Sequence, residues 1–298
     1  MADLSPEQMA ERIRELETEV RERENDVGKY RDELARANLR LETLIGQIHQ
    51  EIKLAHAVQK ALVATEFPHV PGFEFSTKFV ASMISGGDYF DIFSHDDRLR
   101  FGVVLASGSG HSMSALFLSV LLKFTGQMEA RKGAEPHNIM KQMAAELVPN
   151  IETEARADIF YGLVDRRSYE LSYCRLGDVV ALHQAFADGE LKLLEATGNP
   201  MTTQFDGEVR SKILALNPRD KLVLCSPGVI ESKNLQGESF GLARLSRSIV
   251  EGGKRGVHEV RNQVLYDVQK FTSGQEPPRD LTVVVVEVKD KVIKLAKN

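Results

Sequence analysis

Apolar positions over the first sixty residues recur every seventh and every alternate third or fourth place. One unbroken heptad register puts its two core positions at Ile13, Leu16, Val20, Arg23, Val27, Tyr30, Leu34, Ala37, Leu41, Leu44, Ile48, Glu51, Ala55, Val58 and Leu62, thirteen of these fifteen being apolar. A strict seven-residue repeat of this length predicts a left-handed coiled coil. Ser5, Pro6 and Gln8 supply an N-cap, a first-turn proline and a capping-box partner, and the first later proline is Pro68. A helix over about 6–65 would be roughly 90 Å long at 1.5 Å per residue, too long for one domain to bury its seam. The expected arrangement is a parallel homodimer. Ile13, Val20, Val27 and Ile48 at first core positions, with Leu16 and Leu44 at second ones, favour two strands. The alternatives are a helix folded back on its own domain and a helix paired with another protein. Arg23 and Glu51 interrupt the seam, as register-fixing residues or as a weak spot.

From PHVPGFEF onward the period changes to that of strands. Short runs FEFSTKFVA, YFDIF and LRFGVVLAS precede two helical patterns at about 112–131 and 136–148. Then come DIFYGLVD, YELSYCRL, VVALHQAF, ELKLLEA, VRSKILAL and KLVLCS, two helices near 239–251 and 257–271, and a final strand LTVVVVEV. That last run is a nearly continuous apolar stretch, which predicts burial on both faces. Strands grouped apart from helices indicate an α+β fold with antiparallel sheets. The expected domains are a coiled-coil helix (1–66), a globular domain (67–290) and an exposed tail (291–298).

Composition and charge narrow the function classes. The 298 residues are 42% hydrophobic and 27% charged, with a net charge of −5. Residues 1–66 hold fourteen Asp and Glu against ten Lys and Arg, so the remainder is close to neutral. This is not the basic footprint of a nucleic-acid binder. No apolar run reaches the ~18 residues that cross a bilayer, and the N-terminus lacks a signal-peptide pattern. The expected location is therefore cytoplasmic, with no membrane partner. Cys174 and Cys225, both in apolar strand-like runs, are expected to be buried free thiols.

The stretch VVLASGSGHSMSALFLS, residues 103–119, has the strand–glycine loop–helix form of a phosphate or metal loop, yet holds no carboxylate and no lysine. It lacks the lysine of a P-loop, the third glycine of a dinucleotide fingerprint and the G-x-S-x-G frame of a nucleophile elbow.

Four motifs in order resemble the SpoIIE/RsbU branch of the PPM family of metal-dependent serine/threonine phosphatases. SGGDYFDIF (85–93) resembles VGGDYYDF, and VVLASGSGHSMSALFL resembles GDVSGHGxxAAL. DKLVLCSPGVIESKNLQGESFGLARL resembles D-x-L-x-L-Y-T-D-G-V-x-E-A-x-N followed by GExFGxxRL, and PPRDLTVVVVEV resembles the closing D-D-I-T strand. EIKLAHAVQKALV is similar to the helix that precedes the catalytic domain in this branch. The resemblance covers about residues 50–288. It implies an α-β-β-α sandwich with two Mn or Mg ions held by aspartates between the sheets, where they activate a water against phosphoserine or phosphothreonine.

The same resemblance implies that three of the four ligand carboxylates are replaced. The first falls on Asp88, which is present; the others fall on Ser107, Pro227 and Arg279. Gly108 lies where the family uses a backbone carbonyl, Asp280 is the second aspartate of D-D-I-T, and LGD at 176–178 stands for A-G-H. Two metals carry +4, whereas Asp88, Asp91 and Asp280 less Arg279 supply about −2 at most. A guanidinium within several ångströms of two metals is repelled by several kcal/mol at an effective dielectric near 20. An Asp88–Arg279 interaction in place of the metal is expected.

The first functional expectation is thus a pseudophosphatase that binds a phosphoprotein partner of the anti-sigma-factor-antagonist type. Its pocket would comprise Asp88, Asp91, Ser107, Gly108, Ser109, His111, Arg279 and Asp280, with no cofactor. The second is an altered phosphatase using one Mn or Mg ion on Asp88, Asp91 and Asp280. The third is a scaffold in which the coiled coil is the functional part.

Overall fold

The computed structural model describes residues 6–62, 67–82, 87–109, 134–151 and 153–289. The helix expected over 112–131, His111, the cap residue Ser5 and the tail 291–298 lie outside them. The chain divides into two compact units, Met1–Lys53 and Leu54–Asn298, the division falling inside the first helix.

Helix α1 (Pro6–Leu62) is continuous for 57 residues. Surface pairs Arg12–Glu15, Glu19–Arg23 and Asp26–Lys29 at helical spacing each add a few tenths of a kcal/mol. Arg23, at a core position of the heptad, is thus bound to its own helix. The seam residues Ile13, Leu16, Val20, Val27, Tyr30, Leu34, Leu41, Leu44 and Ile48 are 44–65% exposed in the single chain. The side chains of Val58 and Leu62 lie outside the described set. No described helix is long and apolar enough to cross a membrane.

The second unit stacks two five-stranded antiparallel sheets. In chain order the strands are β1 (Phe73–Val80), β2 (Asp88–Ser94), β3 (Arg100–Ser109), β4 (Arg156–Asp165), β5 (Glu170–Leu176), β6 (Val180–Gln184), β7 (Leu191–Leu193), β8 (Lys212–Ala215), β9 (Lys221–Cys225) and β10 (Leu281–Val288). One sheet has the order β1-β10-β9-β6-β7 and the other β2-β3-β4-β5-β8. The further described helices are α2 (Pro136–Leu147), α3 (Pro227–Glu231), α4 (Gly241–Gly253) and α5 (Val257–Phe271). Strand alternation splits the core into three layers. Phe90, Ile92, Val103, Leu105, Phe160, Leu224, Val284 and Val286 fill the space between the sheets. Tyr89, Phe93, Val104, Ala106, Ile159 and Tyr161 face outward beneath Ile139, Met140, Met143 and Leu147 of α2. Val223, Cys225, Val283 and Val285 face outward beneath Leu245 and Ile249 of α4 and Val260, Val264 and Val268 of α5. The architecture is α-β-β-α.

β10 is buried along all eight residues because it pairs with β1 on one side and β9 on the other, with packed layers on both faces. Both cysteines are buried free thiols, Cys174 beneath α2 and Cys225 beneath α4 and α5. Burial pushes the Cys174 thiol up to about 11, so it is inert as a nucleophile near neutral pH.

Candidate functional site

The ends of β2, β3, β4, β9 and β10 meet at one end of the sandwich. Register and parity then choose the side chains. Asp88 pairs with Ser107 across β2–β3, and Ser107 pairs with Asp158 across β3–β4. Asp88 shares the parity of Phe90 and Ile92, Ser107 that of Val103 and Leu105, and Asp158 that of Phe160. All three therefore face the inter-sheet space. Thr282 on β10 and Ser226 after β9 face the same space from the other sheet.

Asp88 is 2% exposed, and both its oxygens accept from hydroxyls: Oδ1 from Ser107 Oγ at 2.5 Å and Oδ2 from Thr282 Oγ1 at 2.7 Å. Burial, and then the negative charge of Asp280, push its carboxyl up to about 7 against the pull of these hydroxyls. Arg279 Nη2 donates to Ser107 Oγ at 3.1 Å, while Nη1 donates to Glu231 Oε1 and Oε2, each at 3.2 Å. The second ion pair of Arg279 is with Asp158 Oδ2 at 3.9 Å. The expected Asp88–Arg279 interaction is thus indirect, and Ser107 is its bridge: one hydroxyl accepts from the guanidinium and donates to the carboxylate.

Asp158 is fully buried, its Oδ2 3.2 Å from Arg156 Nε and its Oδ1 accepting the Asp178 backbone N–H at 3.1 Å. Asp158 Oδ2 makes ion pairs but no hydrogen bond, and burial raises its carboxyl above the ordinary carboxylate range. Arg156 continues outward to Asp178 Oδ2 at 2.6 Å. The turn bearing Asp178 depends on Gly177 at φ +70°, where a Cβ would stand 2.1 Å from Asp158 Oδ1.

Asp280 plays a different part. Its Oδ1 accepts the Ser82 N–H at 2.8 Å, and its Oδ2 accepts those of Gly87 and Asp88 at 2.8 and 3.1 Å. It ties the segment leading into β2 to the start of β10. Ser226 Oγ accepts from Thr282 N at 2.9 Å and donates to the Asp280 carbonyl at 3.2 Å, closing the seam between β9 and β10. Pro227 is buried at the first position of α3. At Gly228 a Cβ would fall 2.2 Å from the Asp280 carbonyl oxygen, so only glycine lets α3 pack there. α3 brings Glu231 to Arg279.

Asp91 does not belong to this site. It lies three residues from Asp88, an odd separation, so it faces outward with Tyr89 and Phe93. There Oδ1 accepts its neighbour Ile92's N–H at 2.8 Å and Oδ2 the Tyr89 hydroxyl at 3.2 Å. Gly108 donates its N–H to the Gly87 carbonyl at 3.0 Å, and half-buried Ser109 donates to the Arg156 carbonyl at 3.4 Å. Among the described residues no group of three or more His, Cys, Asp or Glu is arranged to hold a metal ion. Sequence reasoning missed Asp158, Arg156, Glu231 and Thr282. The available signals were a carboxylate inside the apolar run of β4 and the glutamate of PGVIE.

Two stacked antiparallel sheets flanked by helices, with a polar cluster where their strand ends meet, define a PP2C-type phosphatase-like domain. The chain belongs to the Stage II sporulation protein E (SpoIIE) family, whose family model matches residues 97–289. It is 22% identical over 191 residues to phosphoserine phosphatase RsbU of Bacillus subtilis, covering 64% of this chain and 56% of that one. The chain thus spans about half the length of this curated relative. Its fold matches the SiaA PP2C domain of Pseudomonas aeruginosa with a TM-score of 0.67 at 15% identity, covering 81% of this chain and 97% of that one. The catalytic domain of the serine/threonine phosphatase PstP, solved with two manganese ions, matches with a TM-score of 0.54 at 12% identity, covering 72% and 99%.

Proposed function

We propose that this chain is a signalling pseudophosphatase, with a SpoIIE-type domain that recognises a phosphoprotein partner without metal-dependent hydrolysis. The observation that carries this reading is the chain Arg279–Ser107–Asp88. A guanidinium 3.1 Å from Ser107 Oγ, itself 2.5 Å from Asp88, supplies an internal cation where the family places metal ligands.

The residues present do not fit a two-metal centre. A hard dication needs free, ionised carboxylate oxygens. Both oxygens of Asp88 accept hydroxyl hydrogens, both of Asp280 accept backbone N–H groups, and Asp158 Oδ2, which accepts no hydrogen bond, is ion-paired with Arg156 and Arg279. Replacing a metal ion by an ion-paired arginine keeps the end of the sandwich closed while removing the Lewis acid that would activate water. The altered-phosphatase alternative needs Asp91 beside Asp88, and Asp91 faces the opposite side of its sheet.

The partner class rests on the likeness to RsbU and on the accessible rim of the cluster, where Asp178, Glu231 and Arg156 reach solvent. A protein of the anti-sigma-factor-antagonist type is the proposed partner. The exposed heptad seam of α1 supports a parallel homodimer through the helix, with no cofactor required.

The test is hydrolysis of a phosphoserine peptide by the full chain in manganese. The expected rate equals that of Asp88→Ala, at background. A manganese-dependent rate that Asp88→Ala abolishes would establish the phosphatase instead.

A further inference from the structure

At the other end of β2, roughly 20 Å from Asp88 at 3.3 Å per residue, lies a cavity of about 630 Å³. It sits where residues 69–71 lead into β1 and where the β2–β3 turn carries Arg98. Cavities of about 300–1,000 Å³ are the size that holds small organic ligands.

Its lining is cationic. Arg98, Arg100 and Arg166 border it, with His69 and His95, and Asp96 is the one carboxylate among the lining residues. Arg100 is neutralised locally: its Nε lies 2.8 Å from Asp165 Oδ2 and 3.8 Å from Asp97 Oδ2. Arg98 is exposed, and Arg166 is 6% exposed with Nη1 donating to the Arg98 carbonyl at 3.3 Å. Arg166 therefore binds the Arg98 backbone and borders the same space.

A second observation points to a ligand. His95 lines this cavity at 4% exposure, and neither of its ring nitrogens has a hydrogen-bond partner. Buried polar side chains are rarely left unsatisfied, and such a group calls for a missing partner. Burial, and then the charge of Arg100, lower this imidazole to about 4, with Asp96 and Asp97 pulling the other way. The ring is neutral at physiological pH and offers one N–H donor to an anion. Arginine forks match phosphate oxygens in pairs, which selects a phosphate group over a simple halide.

We propose that this cavity binds a small phosphate-bearing molecule, with Arg98 and Arg166 meeting the phosphate and His95 completing the site. A ligand there would join the incoming 69–71 segment to the β2–β3 turn. The inference does not rest on the pseudophosphatase reading, because it uses none of the residues around Asp88.

The test is titration calorimetry on the full chain with three probes, inorganic phosphate, ribose 5-phosphate and AMP. The expected result is one-to-one binding of at least one probe with a Kd of about 1 mM or tighter, weakened about tenfold or more by Arg98→Glu, a change at an exposed residue. His95→Phe, which keeps the ring's bulk and removes its nitrogens, is expected to weaken the same binding. Preference for AMP or ribose 5-phosphate assigns an ester as the ligand, whereas equal affinity for inorganic phosphate assigns the free ion. Arg255→Gln, at an exposed residue outside both sites, is the control and is expected to leave binding unchanged. No heat with any probe at about 10 mM overturns the proposal. So does binding that Arg98→Glu leaves intact, or that Arg255→Gln weakens as much.

Discussion

Asp88 is a carboxyl held at about 7 in the folded chain against 3.8 ordinarily. A raised carboxyl means that the native state holds its proton more tightly than the unfolded chain does. The associated stability is fully present below about pH 4 and is lost as pH rises towards 7, by up to about 4 kcal/mol. His95 acts in the opposite sense, because its lowered value costs stability as pH falls from 6.5 to about 4. The two effects overlap, so the difference between wild type and Asp88→Asn isolates the first. Chemical denaturation of both between pH 4 and 8 is expected to show wild type losing stability relative to Asp88→Asn as pH rises; parallel curves would contradict the assignment. Ser107→Ala removes the hydroxyl that joins Arg279 to Asp88 and leaves buried groups unsatisfied, so a loss of about 1–3 kcal/mol is expected in the same assay. Part of this site was legible in the sequence. Motif order located Asp88, Ser107, Arg279 and Asp280, whereas strand parity, which needs only counting, separates Asp91 from Asp88. Asp158 and Glu231 could not be assigned as partners of Arg279 from local pattern, because they arrive from β4 and α3, over a hundred and nearly fifty residues away.

At the scale of elements, alternation and glycine placement account for most of what the sequence predicts. The helix expected over 257–271 is α5 to the residue, and the nearly continuous apolar run of the last strand is explained by two neighbours and two packed faces. The short α3 is not announced by any periodicity; a proline at its first position and Gly228 against the Asp280 carbonyl are its only local marks. β7 and β8, three and four residues long, are shorter than their apolar runs suggest: β7 pairs with β6 over only three residues and β8 with β5 over four. Gly177 links element to site. Gly177→Ala would force a side chain into a left-handed turn and onto Asp158, so a loss of about 1–3 kcal/mol is expected from urea midpoints. A neutral outcome would mean that the β5–β6 turn yields without disturbing Asp158.

For the whole molecule, the apolar seam of α1 is uncovered in one chain, and a seven-residue repeat is satisfied by another helix of the same period. Sedimentation equilibrium is expected to give twice the chain mass, and Leu34→Lys with Leu41→Lys to give the monomer. A monomeric wild type would contradict the dimer. The heptads made this face legible from the sequence; what covers it is a property of the assembly. In the other unit, Arg279, joined to Asp88 through Ser107, is proposed to stand where a metal ion would. The most direct test of this is manganese titration calorimetry on the full chain. No site-specific binding is expected up to about 1 mM manganese. Stoichiometric binding at micromolar manganese, lost in Asp88→Ala, would contradict it and show that the carboxylates around Asp88 still hold a metal.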